Sequence, residues 1–242
     1  MALVAVAGCA TTREAHRTHV DGVKLRKQLA ASLIEHREWA AATQPLAELT
    51  RLAPRDAGVR VMLGTVYREQ GLYEDAEQQF NQALAFDAHQ GDAYGGRGLV
   101  REERRDDGDA ALDDFRRAIA LTPDNPAHYN NLGFALYVRG KYEDAVRALR
   151  DGLRHAPANR RLRNNLGFVY GRLGLYNRAM REFERGGSRA EAESNLGLVF
   201  EEAGDSAMAC ERYHEAVRLD PTLAAAAANV EHACPTQSAR RP

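Results

Sequence analysis

The chain has 242 residues, 44% hydrophobic and 28% charged, a globular rather than a disordered composition. Its 33 Lys and Arg against 34 Asp and Glu give a net charge of -1, so no bulk charge draws it to nucleic acid, and no apolar run reaches the roughly 18 residues that cross a bilayer. Aromatics at 7% and plentiful Ala, Leu and Arg favour helices over strands, and three Cys are too few for a disulfide-built scaffold.

Residues 1–9 read MALVAVAGC, a short apolar stretch ending in small residues and a Cys, the form of the end of a secretory signal. Val6-Ala7-Gly8-Cys9 resembles the bacterial lipobox, in which the Cys becomes the lipidated first residue of the mature protein. That resemblance implies a lipid on Cys9 and, with Ala10 rather than Asp following it, sorting to the outer membrane with the protein facing the periplasm. The stretch is short and no Lys or Arg precedes it, which an upstream start would mend; the alternative is a cytoplasmic N-terminus with an incidental Cys. Residues 10–22 read as a flexible or helical lead-in. His16 and His19 can share one helical face, but two ligands do not make a metal site, and no metal is assigned.

From residue 23 to 221 the chain repeats itself with a period of about 34 residues. Tyr129-Asn130-Asn131-Leu132-Gly133, then Gly140-Lys141-Tyr142, Ala145 and Pro157, returns as Arg163-Asn164-Asn165-Leu166-Gly167 with Gly174-Leu175-Tyr176 and Ala179. It returns again as Asn195-Leu196-Gly197, Gly204, Ala209, Tyr213, Ala216 and Pro221. Upstream, Leu63-Gly64 with Gly71, Tyr73, Ala76 and Phe80 matches it, as do Gly98, Ala111, Phe115 and Pro123 and, more weakly, Ala30, Trp39, Ala42 and Pro54. This pattern resembles the tetratricopeptide repeat. The resemblance implies an all-α solenoid of six helix hairpins, helix A then helix B, starting at 23, 57, 91, 126, 160 and 190. Gly or Ala at position 8 lets helix B approach helix A, Gly between the helices accepts left-handed backbone, and Pro stops helix B. No hairpin buries its apolar face alone, so neighbours supply the core.

Two copies depart from the period. The third has one extra residue between its helices, within the charged run Arg101–Asp109, which reads as a solvated turn. The fifth is four residues short, its helix B ending at Gly186-Gly187-Ser188. Beyond Pro221, Thr222 is placed to N-cap a capping helix within 222–234, and the 235–242 tail reads as disordered. Cys210 and Cys234 fall towards the same end of the helices on either side of Asp220-Pro221; they form either a disulfide that clamps the cap or two inert thiols.

Nothing in the chain supplies chemistry: it has no Gly-rich phosphate loop, no His-Glu-x-x-His and no Cys-x-x-Cys, so neither catalysis nor a cofactor is implied. Recognition belongs to the groove. In a right-handed superhelix of helix pairs, A-helix positions 2, 5, 6, 9, 12 and 13 face the concave side. Position 6 is Asn131, Asn165 and Asn195 in the last three repeats. These resemble the asparagine ladder of some peptide-binding tetratricopeptide superhelices, or else they satisfy the neighbouring helix. Around them lie Asn130 and Asn164, the aromatic anchors Phe134, Tyr137 and Phe168, then Leu198, with Arg161 and Arg172 adding positive charge. The first three repeats offer Lys24, Lys27, Thr65, Arg68, Glu102 and Glu103 instead, a mixed-charge surface. Glu191 at position 2 of the sixth copy departs from the carboxylate clamp of chaperone-binding relatives.

Six such repeats behind a lipobox are similar to the pilotins of type IV pili and to the tetratricopeptide lipoproteins of Flp/Tad pilus systems, by architecture rather than motif. That likeness implies a non-enzymatic, outer-membrane scaffold that binds an extended peptide or a protein, a secretin or pilus subunit among the candidates. It touches the membrane only through a lipid anchor and binds no nucleic acid. The alternative is a soluble cytoplasmic adaptor that recruits a client peptide.

Overall fold

The computed structural model describes residues 22–105 and 108–234, so the Cys9 lipobox, His16, His19 and the 235–242 tail lie outside the described residues. Within these there are thirteen helices and no strand. Hairpins start within one residue of the predicted positions. The chain divides into two compact units, Met1–Leu121 and Thr122–Pro242, a boundary the repeat period does not mark. The first unit pairs α1 (22–35) with α2 (Trp39–Leu52), α3 (Ala57–Glu69) with α4 (Tyr73–Phe86) and α5 (Gly91–Arg104) with α6 (Gly108–Leu121). The second pairs α7 (Pro126–Val138) with α8 (Tyr142–His155), α9 (Arg160–Arg172) with α10 (Tyr176–Gly186) and α11 (Arg189–Glu202) with α12 (Ser206–Leu219), then ends in α13 (Ala224–Ala233). No helix among the described residues is long and apolar enough to cross a membrane.

Four of the A helices, α3, α7, α9 and α11, begin at side-chain caps, whereas α5 starts after Gln90 without one. Asp56 accepts from Val59 N, Asn125 from Ala127 N, Asn159 from Leu162 N and Ser188 from Glu191 N, each satisfying a backbone donor that the first helical turn leaves unpaired. They end in a left-handed residue: Gly71, Gly140, Gly174 and Gly204 have φ of 77°, 70°, 72° and 80°. At each, the following residue's N–H reaches five residues back into the helix, as Leu175 does to Tyr170 O at 2.9 Å, tying up carbonyls at the helix end. Arg37 and Arg105 hold the same conformation in the first and third hairpins, at φ 60° and 56°.

Small residues at position 8 meet rings or a Leu of the paired helix. A Cβ added at Gly98, Gly133, Gly167 or Gly197 would stand 2.4–2.7 Å from Phe115, Leu149, Phe183 or Tyr213. The rings Phe80, Phe115, Phe183 and Tyr213 are fully buried, so glycine here buys helix-to-helix contact. In the second unit each A helix also packs on the next, α7 on α9, α9 on α11 and α11 on α13, while the B helices α8 and α10 do not touch.

The structure corrects two local expectations. Thr222 does not cap the last helix: its N–H and hydroxyl both bond Asp220 Oδ1, and α13 starts after Leu223 with no side-chain cap. An Asx turn satisfies the polar groups first. Nor is the charged run simply a solvated turn. Arg101 and Arg104 belong to α5 and pair with Glu77 of α4, and Arg101 also reaches Asp114 of α6; residues 106–107 lie outside the described residues.

Candidate functional site

In the second unit the A helices α7, α9 and α11 enclose a cavity of about 260 Å³. Phe134 and Tyr137 come from α7, Asn165 and Phe168 from α9, Leu198 and Glu202 from α11, with Gly133 and Val169 completing the lining. The residues converge because positions 6, 9 and 12–13 fall on one helical face, repeated by the lattice. Phe134 is 54% exposed and Val138 beside it 61%, against rings elsewhere in the unit that are sealed in its core. Phe134 and Val138 thus place exposed apolar surface at the edge of the cavity.

One end of the cavity is polar. The Tyr137 hydroxyl donates to Glu202 Oε2 at 3.0 Å, joining residues 65 apart in sequence. Burial first, and then the Glu202 carboxylate, push the Tyr137 phenol up to about 12. Arg172 stands at the rim: its Nε donates to Tyr142 Oη at 3.2 Å, and its Nη1 lies 3.9 Å from Glu202. The hydrogen bond to Tyr142 is the main reason its guanidinium pKa is raised. Tyr137 packs on both Phe134 and Tyr142, with ring centroids 6.4 and 5.9 Å apart. The cavity thus offers an apolar seat with one buttressed carboxylate, suited to an apolar side chain flanked by a hydrogen-bond donor.

Of the residues proposed from sequence, Phe134, Tyr137, Asn165, Phe168 and Leu198 are brought together here, and Arg172 borders them. Asn130, Asn131, Asn164, Arg161 and Asn195 are not part of the lining. Asn165 Nδ2 donates to Asn130 Oδ1 at 2.7 Å, so this amide ties neighbouring A helices together, as the second reading of the ladder had it. Asn229 of α13 makes the equivalent contact to Ser194 at 3.4 Å, again 35 residues away. Across the shortened fifth repeat the contact is missing: Asn164 Oδ1 is buried without a partner, 2.5 Å from where a Cβ on Gly186 would be. Glu202 and Val169 were missed; Glu202 occupies position 13, one of the positions already read as inward.

Cys210 and Cys234 are bonded, with Cα atoms 5.3 Å apart, which fastens α12 to the end of α13 across 24 residues. A crosslink closing a loop of that length stabilises by about 3 kcal/mol through the unfolded chain. His214 lies within 4.8 Å of both sulfurs, but two sulfurs bonded to each other offer a metal no thiolate.

Tetratricopeptide repeat family models match residues 28–93, 61–126 and 115–147. No curated protein matches the chain in sequence. Among solved structures, the chain is similar to PilW, a widely conserved type IV pilus biogenesis factor, at 17% identity and TM-score 0.71 over 85% of this chain and 97% of that one. It is similar to PilF of Pseudomonas aeruginosa at 17% identity and TM-score 0.68, covering 89% and 99%. YrrB, a tetratricopeptide-repeat protein with an unusual peptide-binding site, matches at 19% identity and TM-score 0.56, covering 77% and 97%. The tetratricopeptide repeat is matched from residue 28 to 147, and the same hairpins, turn glycines and small-against-large contacts continue through α12, so the fold is that of a tetratricopeptide-repeat scaffold for protein–protein interaction.

Proposed function

We propose that this scaffold binds a segment of a protein partner in the A-helix cavity of its second unit, and that it works as a lipid-anchored outer-membrane factor in the assembly of a pilus or secretion complex. The observation that carries the binding site is the exposed Phe134 at the mouth of a preformed apolar cavity whose polar end, Tyr137 with Glu202, is already locked by a hydrogen bond. Preorganisation of this kind lowers the ordering cost of binding. An apolar side chain of an extended segment fills the seat, and Asn165 and Glu202 supply the polar contacts. The fold is generally a non-enzymatic interaction scaffold, and no catalytic step is assigned to this chain. Likeness to PilW and PilF in fold supports the pilus setting, and Cys9 in its lipobox-like context supports the anchor.

The test has two parts. Expression from an upstream start, with fractionation and mass spectrometry of the N-terminus, is expected to find acylated Cys9 in the outer-membrane fraction; an unmodified soluble protein overturns the anchor and leaves the cytoplasmic adaptor. Binding of the purified protein to the secretin and pilus subunits of the same host is expected to fall at least about tenfold in Phe134→Ala/Leu198→Ala. An Arg161→Ala control should bind as wild type. Equal affinity in the double variant would remove the cavity from the proposal.

A further inference from the structure

A second concave surface lies on the opposite side of α9. The second unit's A helices touch one another but α8 and α10 do not, so a groove of about 520 Å³ opens between these two B helices above α9. One wall is α8, with Arg150 and Arg154; the other is α10, with Arg178, Arg181 and Arg185; Arg163 of α9 rises between them. The spacing explains the wall: 178, 181 and 185 are three and four residues apart and share a helical face, as do 150 and 154. Six guanidiniums face a single lining carboxylate, Glu182, which already pairs with Arg163 at 2.5 Å and with Arg185 at 3.0 Å. Arg150 and Arg181 have no ion pair among the described residues. The concentration is regional: residues 147–189 hold eleven Arg, no Lys and three acidic residues in a chain whose net charge is -1.

We propose that this groove is a docking site for an acidic segment of a protein partner, one with consecutive carboxylates and an apolar residue among them. Leu166 and Tyr170 lie buried beneath the groove, with Arg178 over the Tyr170 ring at 5.9 Å, and the half-buried Leu153 is the apolar side chain left between the walls. Guanidiniums on facing walls can each grip a carboxylate through two parallel hydrogen bonds, which an ammonium cannot do, and the absence of Lys from the region fits that use. A segment lying along the groove would meet charge on both sides and Leu153 between them. A flat anionic membrane reaches the rims but not the floor. Nucleic acid has no stacking platform here, since the one floor aromatic is buried and covered by Arg178. The cavity lined by Phe134 uses Asn165, Phe168 and Val169 of α9, whereas this groove uses Arg163, Leu166 and Tyr170. The two surfaces share a helix but no residue, so one unit can hold two segments at once. This inference stands whether or not the first cavity binds a pilus component.

The experiment is fluorescence anisotropy of the full chain with a labelled glutamate-rich peptide carrying a central leucine. Its glutamine counterpart, phosphatidylglycerol vesicles and single-stranded DNA are run alongside. The wild type is expected to bind the glutamate peptide, weakening steeply with salt, and to bind the glutamine peptide at least about tenfold less. Arg150→Glu/Arg181→Glu should lose at least about tenfold and Arg150→Gln/Arg181→Gln an intermediate amount. The exposed sites tolerate both pairs of substitutions, and circular dichroism checks that the fold is kept. Binding by the charge-reversed variant within twofold of wild type overturns the proposal. So does binding to vesicles or DNA with none to the glutamate peptide.

Discussion

The two units build the same hairpins and fill the same inward positions in opposite ways. In the first, charges on those positions neutralise one another. Arg68 at position 12 pairs with its neighbour Glu69 and, at 2.6 Å, with Glu103 at position 13 of the next A helix; Lys27 pairs with Asp56. Behind them Arg97 and Arg101 converge on Asp114, whose side chain is only 6% exposed. In the second unit position 9 is Phe134, Phe168 and Leu198, and position 12 of the first A helix is Tyr137. Its polar groups close only one end of the cavity they border. The repeat is therefore specified by its small-against-large contacts and turn residues, and a site forms where the remaining inward positions are not satisfied by their neighbours.

The sharpest way to break this comparison is Asp114→Ala. Arg97 grips both carboxylate oxygens, at 2.9 and 2.7 Å, and this bond raises its guanidinium pKa against the opposing effect of burial. Without Asp114, Arg97 and Arg101 face each other part-buried, and the expected loss is about 3 kcal/mol by urea unfolding. Tyr137→Phe, which removes the bond to the half-exposed Glu202, should cost no more than about 1 kcal/mol. If both cost the same, the ion network around Asp114 does not set the first unit apart from the second.

The turns give a finer comparison. Gly174 and Arg37 do the same job at φ of 72° and 60°, but only Gly does it without a Cβ penalty. Arg37→Gly is expected to raise stability by up to about 1 kcal/mol and Gly174→Ala to lower it by about as much. Thermal unfolding of each variant checks the pair. Equal and opposite shifts would show that the departures from the turn glycine are tolerated cost and not compensated elsewhere.

The hairpins, the turn glycines and the aromatic lining were legible because each follows from a residue's place in one period. The asparagine ladder was not. Which residue an amide reaches depends on the length of the repeat between them, and four missing residues leave Asn164 unpartnered where Asn130 is bonded. The arginine groove was hidden for another reason. Its walls come from two B helices that are not in contact, and their guanidiniums occupy different positions of the period; only the run of eleven Arg between 147 and 189 marks it. The division after Leu121 has no sequence signal at all, since Pro123 ends its repeat like any other.

The shortened repeat supplies the smallest effect, and it tests how the second unit absorbs the loss of residues. Where helix B stops at Gly186, Ser188 opens α11 with reciprocal bonds: Glu191 N–H donates to Ser188 Oγ at 3.1 Å and Ser188 N–H to Glu191 Oε2 at 2.7 Å. Arg160 spans the gap, donating to Gly186 O at 2.6 Å and to Glu191 Oε1 at 2.8 Å. The Ser188 backbone bond, more than the Arg160 pair, holds the Glu191 carboxyl below its ordinary range. A carboxyl depressed in the folded state stabilises above its unfolded pKa and loses that contribution as pH falls through the folded value. Glu191 is 39% exposed, so solvent screens much of the charge, and Glu191→Gln should cost only about 0.5 kcal/mol at neutral pH because Gln still accepts from the cap. The gap between wild type and variant should then close as pH drops from about 5 towards 3. Urea unfolding at several pH values measures it. A gap that stays constant with pH would mean that the junction is held by the cap's geometry and not by the charge that Arg160 and the helix terminus share.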